Sequence, residues 1–228
     1  MGSKATDFEK KDLKKRYQEG DEKLIIQSIV PRGGPTTGGT NVYVRAEGLE
    51  DVVDIFPDPK CRFGGNAQIV SANYITCSKR PKTFYEGEHA TSKNYTCIVC
   101  ESTNPNNKAE IIAMSVSLSG KFDDIQSSLP YRYYTPGYIS NIYPRYGPRD
   151  GDTYVQVWGS GFLDLGDDFR CNFGSRSTKA NYVTDTFIWC RSATSDVTGK
   201  PMPFSVSMNR QQNTKQDIEY WYYNDPTV

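Results

Sequence analysis

The sequence predicts an all-β protein built from two consecutive β-sandwiches, and three observations support this. One motif of glycine, proline and alternating valine occurs twice. Aromatic residues are abundant, with 16 Tyr and 10 Phe, although hydrophobic residues make up only 36% of the chain. Such a composition is typical of thin sandwiches that bury rings between two sheets. The length of 228 residues suits two domains of about 100 residues each.

The repeated motif runs from Ile29 to Cys77 and again from Ile142 to Cys190. Each copy contains a Pro-Arg-x-Gly-Pro turn, a strand with alternating valines, a Cys-x-Phe-Gly segment and a late Ile-x-Cys. At one constant offset, Pro31, Arg32, Gly34, Pro35, Gly38, Thr40, Val42 and Val44 recur as Pro144, Arg145, Gly147, Pro148, Gly151, Thr153, Val155 and Val157. The chain is therefore predicted to contain two copies of one unit.

The strands follow from alternation and from the residues that end them. In the first copy they are predicted at Leu24–Val30, Thr40–Ala46, Gln68–Val70, Tyr74–Cys77, Met114–Ser117 and Pro130–Tyr134, and late strands of the second copy at Phe204–Ser207 and Glu219–Tyr223. Val42 and Val44 are expected to point inward, with Tyr43 and Arg45 outward. The glycines between the first two strands predict a structural turn, because a phosphate loop needs Gly-Lys-Ser/Thr and a helix after it.

Three segments are predicted. Residues 1–22 form a short charged N-terminal arm, interpreted as solvated; the alternative is a short helix that docks onto a neighbour through Phe8, Leu13 and Tyr17. Residues 23–135 form domain 1, with an insertion at about 80–108, and residues 136–228 form domain 2. The joint at Tyr134–Ile139 is short, which predicts a rigid end-to-end tandem.

Charge and hydropathy exclude several classes. Lys plus Arg equals Asp plus Glu at 27 each, so the chain has no overall attraction for nucleic acid. The sequence contains no run of 18 apolar residues, so no transmembrane segment is predicted. It also has no apolar N-terminal segment of the kind that marks a signal peptide, so none is predicted. Gly2, with Thr6, fits the loose N-myristoylation pattern; Met-Gly-Ser is also a common expression leader.

The motifs resemble the IPT/TIG branch of the immunoglobulin-like domains. The likeness covers about residues 24–227; domain 2 carries Gly159-Ser160-Gly161-Phe162 in full, whereas domain 1 keeps only Gly48-Leu49 there. The resemblance implies two immunoglobulin-like sandwiches without catalysis. Relatives of this type serve as stacked spacers and protein contacts in plexin-type receptor ectodomains. In transcription factors they contact DNA or dimerise, and in an exocyst subunit they dock a small GTPase.

The six cysteines are candidates for disulfides. Cys61 with Cys77, and Cys171 with Cys190, occupy positions that match between the copies and that we expect on facing strands. Bridging each pair would add about 3 kcal/mol of stability, but reduced, buried thiols would fit the pattern equally well. Cys97 and Cys100 lie in the predicted insertion, where they could pair with one another, fill it, or bind zinc with His89.

The sequence supplies little chemistry for catalysis. His89 is the only histidine, and it follows Glu86-Gly87-Glu88 without a nucleophile or oxyanion signature nearby. We therefore predict no enzymatic activity, no cofactor, no metal and no small-molecule substrate. Asn94-Tyr95-Thr96 has the form of a glycosylation acceptor.

Clustered aromatic residues are the candidate interface. Tyr and Trp are favoured in interface cores, and two clusters lie at the joint and at the far end of the chain. The candidates are Tyr131, Tyr133, Tyr138, Tyr143, Trp221 and Tyr222. Because alternate residues of a strand face inward, about half of each cluster is expected in the core.

The sequence favours a non-enzymatic interaction or scaffold module that binds other proteins through strand edges, the insertion and the arm. One alternative is a DNA-contacting or dimerising module that uses Arg32, Arg62 and Arg145; another is a fragment of a cell-surface receptor ectodomain. If Met1 is the native start, we expect an intracellular location in cytoplasm, cytoskeleton or cilium. If the chain is cut from a longer ectodomain, we expect the cell exterior.

Overall fold

The fold was established from a computed structural model that describes residues 6–19, 23–65, 68–77, 95–122 and 127–224. The contacts divide the chain into two compact units, Met1–Tyr133 and Tyr134–Val228. Both units consist mainly of strands, so the all-β prediction is confirmed. Each unit has its own buried hydrophobic cluster.

In the described part of unit 1 there are two helices and eight strands, of which the last continues into Tyr134. The helices are α1 (Asp7–Glu19) and α2 (Leu49–Val52). The strands are β1 (Ile26–Val30), β2 (Gly33–Pro35), β3 (Asn41–Ala46), β4 (Lys60–Phe63), β5 (Ile69–Cys77), β6 (Tyr95–Glu101), β7 (Ile111–Ser117) and β8 (Ser128–Tyr134). They are hydrogen-bonded in the order β1-β3-β6-β5-β4-β7-β8-β2.

Unit 2 repeats this arrangement. Its strands are β9 (Tyr138–Tyr143), β10 (Tyr146–Pro148), β11 (Tyr154–Ser160), β12 (Arg170–Phe173), β13 (Arg176–Thr184), β14 (Phe187–Arg191), β15 (Pro201–Ser207) and β16 (Ile218–Tyr223). They are ordered β10-β16-β15-β12-β13-β14-β11-β9. Short β10 runs parallel to β16, and the other pairs are antiparallel.

In each unit one long strand passes from one layer of the sandwich to the other. In β5, Ser71 pairs with Lys60 of β4 and Ala72 with Cys100 of β6. This continuous strand replaces the two short strands predicted at Gln68–Val70 and Tyr74–Cys77. The backbone remains extended between them because it exchanges one hydrogen-bonding partner for another, and a change of partner leaves no mark in the sequence.

The alternating valines form the centre of each core, as predicted. Val42 and Val44 are fully buried, and so are their counterparts Val155 and Val157. Aromatic rings fill the space between the layers: Phe63 meets Tyr131 edge-on at 5.3 Å between centroids. Phe173 meets Tyr220 in the same way at 5.0 Å in unit 2. Edge-to-face ring pairs of this kind add to the stabilisation that burial supplies.

Residues 7–19 form helix α1, which packs on the core of unit 1 through the partly buried Leu13 and Tyr17, whereas Phe8 of the predicted stripe is 80% exposed. Its first turn is capped by Thr6 and Glu9, since the amide of Glu9 donates to Thr6 Oγ1 and the amide of Thr6 donates to Glu9 Oε2. The ring of Tyr17 lies edge-on to Phe56 at 5.6 Å. Lys10 Nζ is 3.4 Å from Asp54 Oδ2. The sparse apolar stripe in the sequence indicated this helix, and the helix packs against the segment that follows α2.

The predicted insertion at about 80–108 needs a correction. Strand β6 lies inside that range, yet it pairs with β3 on one side and β5 on the other. It is the counterpart of β14, because Val42 pairs with Cys100 as Val155 pairs with Cys190. The extra residues therefore belong to the β5–β6 connection: 28 positions separate Ala72 from Cys100, whereas 10 separate Ala180 from Cys190.

Candidate interaction surfaces

All six cysteines form disulfides, with a pairing in unit 1 that differs from the predicted one. The pairs are Cys61–Cys100, Cys77–Cys97 and Cys171–Cys190. Cys61–Cys100 and Cys171–Cys190 are equivalent, buried in their cores, with Cα atoms 6.3 and 6.4 Å apart. The pairing of Cys171 with Cys190 is the one that the repeat predicted.

A bridge between Cys61 and Cys77 is excluded by strand register. Cys61 lies opposite Val70 on the neighbouring strand, and Cys77 is seven residues farther along that strand, roughly 20 Å away. Cys97 and Cys100 cannot pair with one another either, because residues three apart on a strand point to opposite faces. Cys100 points inward, while Cys97 joins Cys77 across the outer side of the β5–β6 pair.

Several predicted sites lie outside the described residues. These are the myristoylation position Gly2, the histidine His89 and the glycosylation acceptor Asn94. Among the residues that the structure does describe, no three His, Cys, Asp or Glu side chains come together as a metal site. Within the same residues, no helix is long and apolar enough to cross a bilayer.

The predicted tyrosine interface divides into core and surface. Tyr131, Tyr133 and Tyr222 are buried, which corrects their assignment as interface residues. They alternate along β8 and β16 on the side that faces the other layer. Tyr138 and Tyr143 are 54% and 66% exposed, and Trp221 is half-buried on the outer side of β16. For these three, participation in an interface stays a prediction.

The buried tyrosine hydroxyls have perturbed acidity. Burial raises the pKa of Tyr131 to about 12, although the hydroxyls of Ser102 and Thr40 offset part of the rise. Burial also raises the pKa of Tyr222, whose hydroxyl donates to the carbonyl of Ala193 at 2.8 Å. Raised values mean that these phenols stay neutral in the fold. The hydroxyl of Tyr222 links β16 to the loop at Ala193, and both rings are part of their cores.

The outer side of one sheet in unit 2 carries a group of rings that we call the aromatic face. It consists of Tyr143 on β9, Tyr154 and Trp158 on β11, and Phe187 and Trp189 on β14. Tyr154 and Trp189 are 5.0 Å apart at 33°, and Trp158 and Phe187 are 5.6 Å apart at 42°. Of this set the sequence analysis named only Tyr143; the inward-pointing Val155 and Val157 were the signal that Tyr154 and Trp158 point outward.

Arginine and carboxamide side chains surround the aromatic face. Arg191 lies over Tyr154 at 5.8 Å, and its Nε is 3.7 Å from Asp152 Oδ1. Arg145 donates to Asn141 Oδ1 at 3.0 Å and has no carboxylate within salt-bridge distance among the described residues. Gln156 lies between Tyr143 and Trp189 in the strand register.

Of the three arginines proposed for DNA contacts from loops, Arg62 does not lie in a loop. Arg62 lies on strand β4, with its guanidinium 4.8 Å from the ring centroid of Phe122. Arg32 is in the turn before β2, and its carbonyl accepts a hydrogen bond from the amide of Arg132. Only Arg32 and Arg145 occupy the turn positions expected from the repeat.

Taken together, these features define a class: a disulfide-bonded tandem of immunoglobulin-like sandwiches. The family model of the IPT/TIG domain matches residues 138–222. Human Plexin-A4 is 27% identical over 205 residues, and human Plexin-A3 is 26% identical over 210. Each alignment covers 89% of this chain and 10% of the relative, so the chain spans about a tenth of their length.

A solved structure shows the same fold. The full extracellular region of Plexin A4 matches with a TM-score of 0.53 and 22% identity, covering 90% of this chain and 16% of that one. The IPT/TIG domain model thus matches unit 2, and unit 1 repeats the strand order and the core disulfide of unit 2.

Proposed function

We propose that this chain is a segment of the extracellular region of a plexin-type cell-surface receptor. In that setting it serves as a non-catalytic module that spaces domains and contacts other proteins. The observation that carries the proposal is the continuous similarity to Plexin-A4 across both units, 89% of the chain. A shared single domain would have matched one unit only.

The cysteines support an extracellular location. All six are bridged, and disulfides persist in oxidising compartments such as the cell exterior. Two bridges tie the layers of the cores together, and the third closes the connection between β5 and β6. The intracellular settings named from the sequence gain no support from the relatives, so the ectodomain alternative is the one we adopt.

The structure also supports a binding role over a catalytic one. The perturbed phenols are pinned in the cores, and Arg62 is engaged by Phe122. The chain has equal numbers of acidic and basic residues, which disfavours a nucleic-acid partner. Protein partners would meet strand faces and loops, the parts of these sandwiches that differ between the two units.

A thiol count tests the location. The chain is expressed with a secretory leader, denatured without reductant and labelled with maleimide. We expect no labelled cysteine by mass spectrometry, and six after reduction. Six labelled cysteines in the denatured, unreduced protein would overturn an extracellular assignment.

A domain exchange tests the receptor role. This chain replaces the matched segment of Plexin-A4 in a full-length receptor. We expect the chimera to reach the cell surface, because both units fold on their own cores. A matched chimera with Cys171→Ala and Cys190→Ala is expected to be retained. Retention of the unsubstituted chimera would contradict the proposal.

A further inference from the structure

We propose that the aromatic face of unit 2 binds an oligosaccharide that carries a carboxylated sugar. This goes beyond a spacer role, because it assigns a ligand to one face of one unit. The face is built from Tyr143, Tyr154, Trp158, Phe187 and Trp189, with Arg145 and Arg191 at its rim.

The fold does not require these rings. Unit 1 has the same strands in the same register, and its outward positions hold other residues: Tyr154 corresponds to Asn41, Trp158 to Arg45, and Trp189 to Val99. All of these side chains are compatible with an outer strand position. The concentration of aromatic residues on unit 2 therefore reflects something other than the packing of a sandwich.

The composition of the face suits a sugar. Flat aromatic rings stack against the C–H faces of pyranoses, and carboxamides exchange hydrogen bonds with hydroxyls. Gln156 and Asn141 lie in the same rows as the rings, since Gln156 is opposite both Tyr143 and Trp189. Sites that bind small ligands combine apolar surface with a few placed polar groups in this way.

The charge pattern selects an acidic sugar. Strands β9, β11 and β14 contain no Asp or Glu, and their only charged residue is Arg191. Arg145 lies beside Asn141 and makes no ion pair among the described residues. A guanidinium can hold a carboxylate through two parallel hydrogen bonds, so Arg145 is the expected partner of the sugar's carboxylate.

The size of the face disfavours a stable second copy. Three strands about 4.8 Å apart, each with three outward residues about 6.8 Å apart, give a face on the order of 300 Å². A stable protein–protein interface needs about 800 Å² from each partner. A short oligosaccharide covers the smaller area.

Intrinsic fluorescence provides the test. The chain has three Trp residues, and Trp221 lies in the other sheet, on β16. The full chain with Trp221→Phe therefore reports on Trp158 and Trp189 alone. It is titrated with 3′-sialyllactose, which has a carboxylated sugar, and with neutral lactose. We expect a saturable change with sialyllactose and at least tenfold weaker binding of lactose.

Variants locate the site. Calorimetry should show that Arg145→Ala reduces the affinity for sialyllactose to that for lactose. Trp158→Arg and Trp189→Val, the residues of unit 1, should weaken both sugars at least tenfold. Trp221→Phe is the matched control and should bind like the parent. Circular dichroism checks that each variant is folded. If one of them does not fold, Tyr154→Asn is tested in its place.

Three results would overturn the proposal: no spectral change at millimolar sialyllactose, binding that Arg145→Ala and Trp158→Arg leave intact, or equal binding of both sugars. Sedimentation could give a fourth contradicting result. If the chain formed a dimer and Trp158→Arg dissociated it, the aromatic face would be assigned to a second copy of the chain.

Discussion

The amide of Ile139 donates a hydrogen bond of 3.1 Å to Gln216 Oε1. Ile139 lies on β9, the last strand of its sheet, where outward amides have no neighbouring strand. In unit 1 the equivalent amide, that of Ile26 on edge strand β1, donates to Ser127 Oγ at 2.9 Å. Different side chains at matching positions thus satisfy the same edge amide, and exposed edges are the usual route to unwanted pairing. The start of each edge is therefore closed to an added strand.

Replacing Gln216 should open this edge. In Gln216→Ala the amide of Ile139 loses its acceptor, which we expect to cost about 1 kcal/mol of unfolding free energy. Hydrogen exchange of that amide should become faster, as measured by NMR. Lys215→Ala, at an exposed neighbour, is the control and should change neither quantity. Unchanged exchange at Ile139 would show that the hydrogen bond is not formed in solution.

Gly34 should not tolerate a side chain. A Cβ there would overlap Thr40 Oγ1 and Tyr131 Oη, so Gly34→Ala should lower the unfolding free energy by about 1–3 kcal/mol. Urea denaturation measures the loss. The control Gly65→Ala should be nearly neutral, because nothing lies within 4 Å of the added atom. Adding Tyr131→Phe to Gly34→Ala should recover part of the loss; no recovery would contradict the close contact with the hydroxyl.

Alkaline pH should destabilise the fold through Tyr131. Its folded pKa is raised to about 12, whereas an unfolded tyrosine titrates near 10. The neutral phenol is favoured in the fold, so its contribution is complete below pH 10 and is lost as the pH rises towards 12. We expect a loss on the order of 1–3 kcal/mol. Unfolding at pH 9 and 11.5 measures it.

Two substitutions separate this effect from general alkaline damage. Tyr131→Phe should show a smaller loss between the two pH values, whereas Tyr143→Phe, at an exposed ring, should behave like the parent. Absorbance at 295 nm should show one group of phenols ionising late. If Tyr131→Phe and the parent lost stability in parallel, the assignment to Tyr131 would be wrong.

The disulfides should contribute unequally. Replacing Cys171 and Cys190 by Ala should cost about 3 kcal/mol from the closed loop alone, plus the loss of buried sulfur. The loop of Cys61–Cys100 is longer, so about 4 kcal/mol is expected. For Cys77–Cys97 the loop contributes about 3 kcal/mol, and only the sulfur of Cys97 adds a burial term, because Cys77 is partly exposed. Thermal unfolding of the three double variants gives the order.

Peptide mapping without reductant checks the connectivity itself. We expect a fragment that joins Cys61 to Cys100 and another that joins Cys77 to Cys97. A fragment that joins Cys61 to Cys77 would restore the pairing that the repeat suggested and would contradict the register of β4 and β5.

The repeat predicted most of the fold, and its one error is instructive. Two Ile-x-Cys segments occur in unit 1, Ile75–Cys77 and Ile98–Cys100, and either could match Ile188–Cys190. The spacing of the repeat favours the nearer one, because Cys61 and Cys77 are 16 positions apart and Cys171 and Cys190 are 19. The correct match depends on which strand pairs with β3, and hydrogen bonding across a sheet has no local signature.

The aromatic candidates show the same limit. Alternation along a strand predicts that half of the rings are buried, and it correctly set Val42 and Val44 inward. It could not say which half of a run such as Tyr131, Tyr133 and Tyr134 faces the core, because all three are aromatic and β8 ends beside the loops. The structure buries all three.

The sequence alone determined that the chain is all-β and duplicated, because the period of its valines and the spacing of its glycines and prolines are local properties. It also predicted that Cys171 and Cys190 lie on facing strands. Only the tertiary structure decided the other two pairings, the docking of α1 and the placing of five rings on one outer face. Those depend on which distant strands become neighbours, and that is settled by the packing of the whole core.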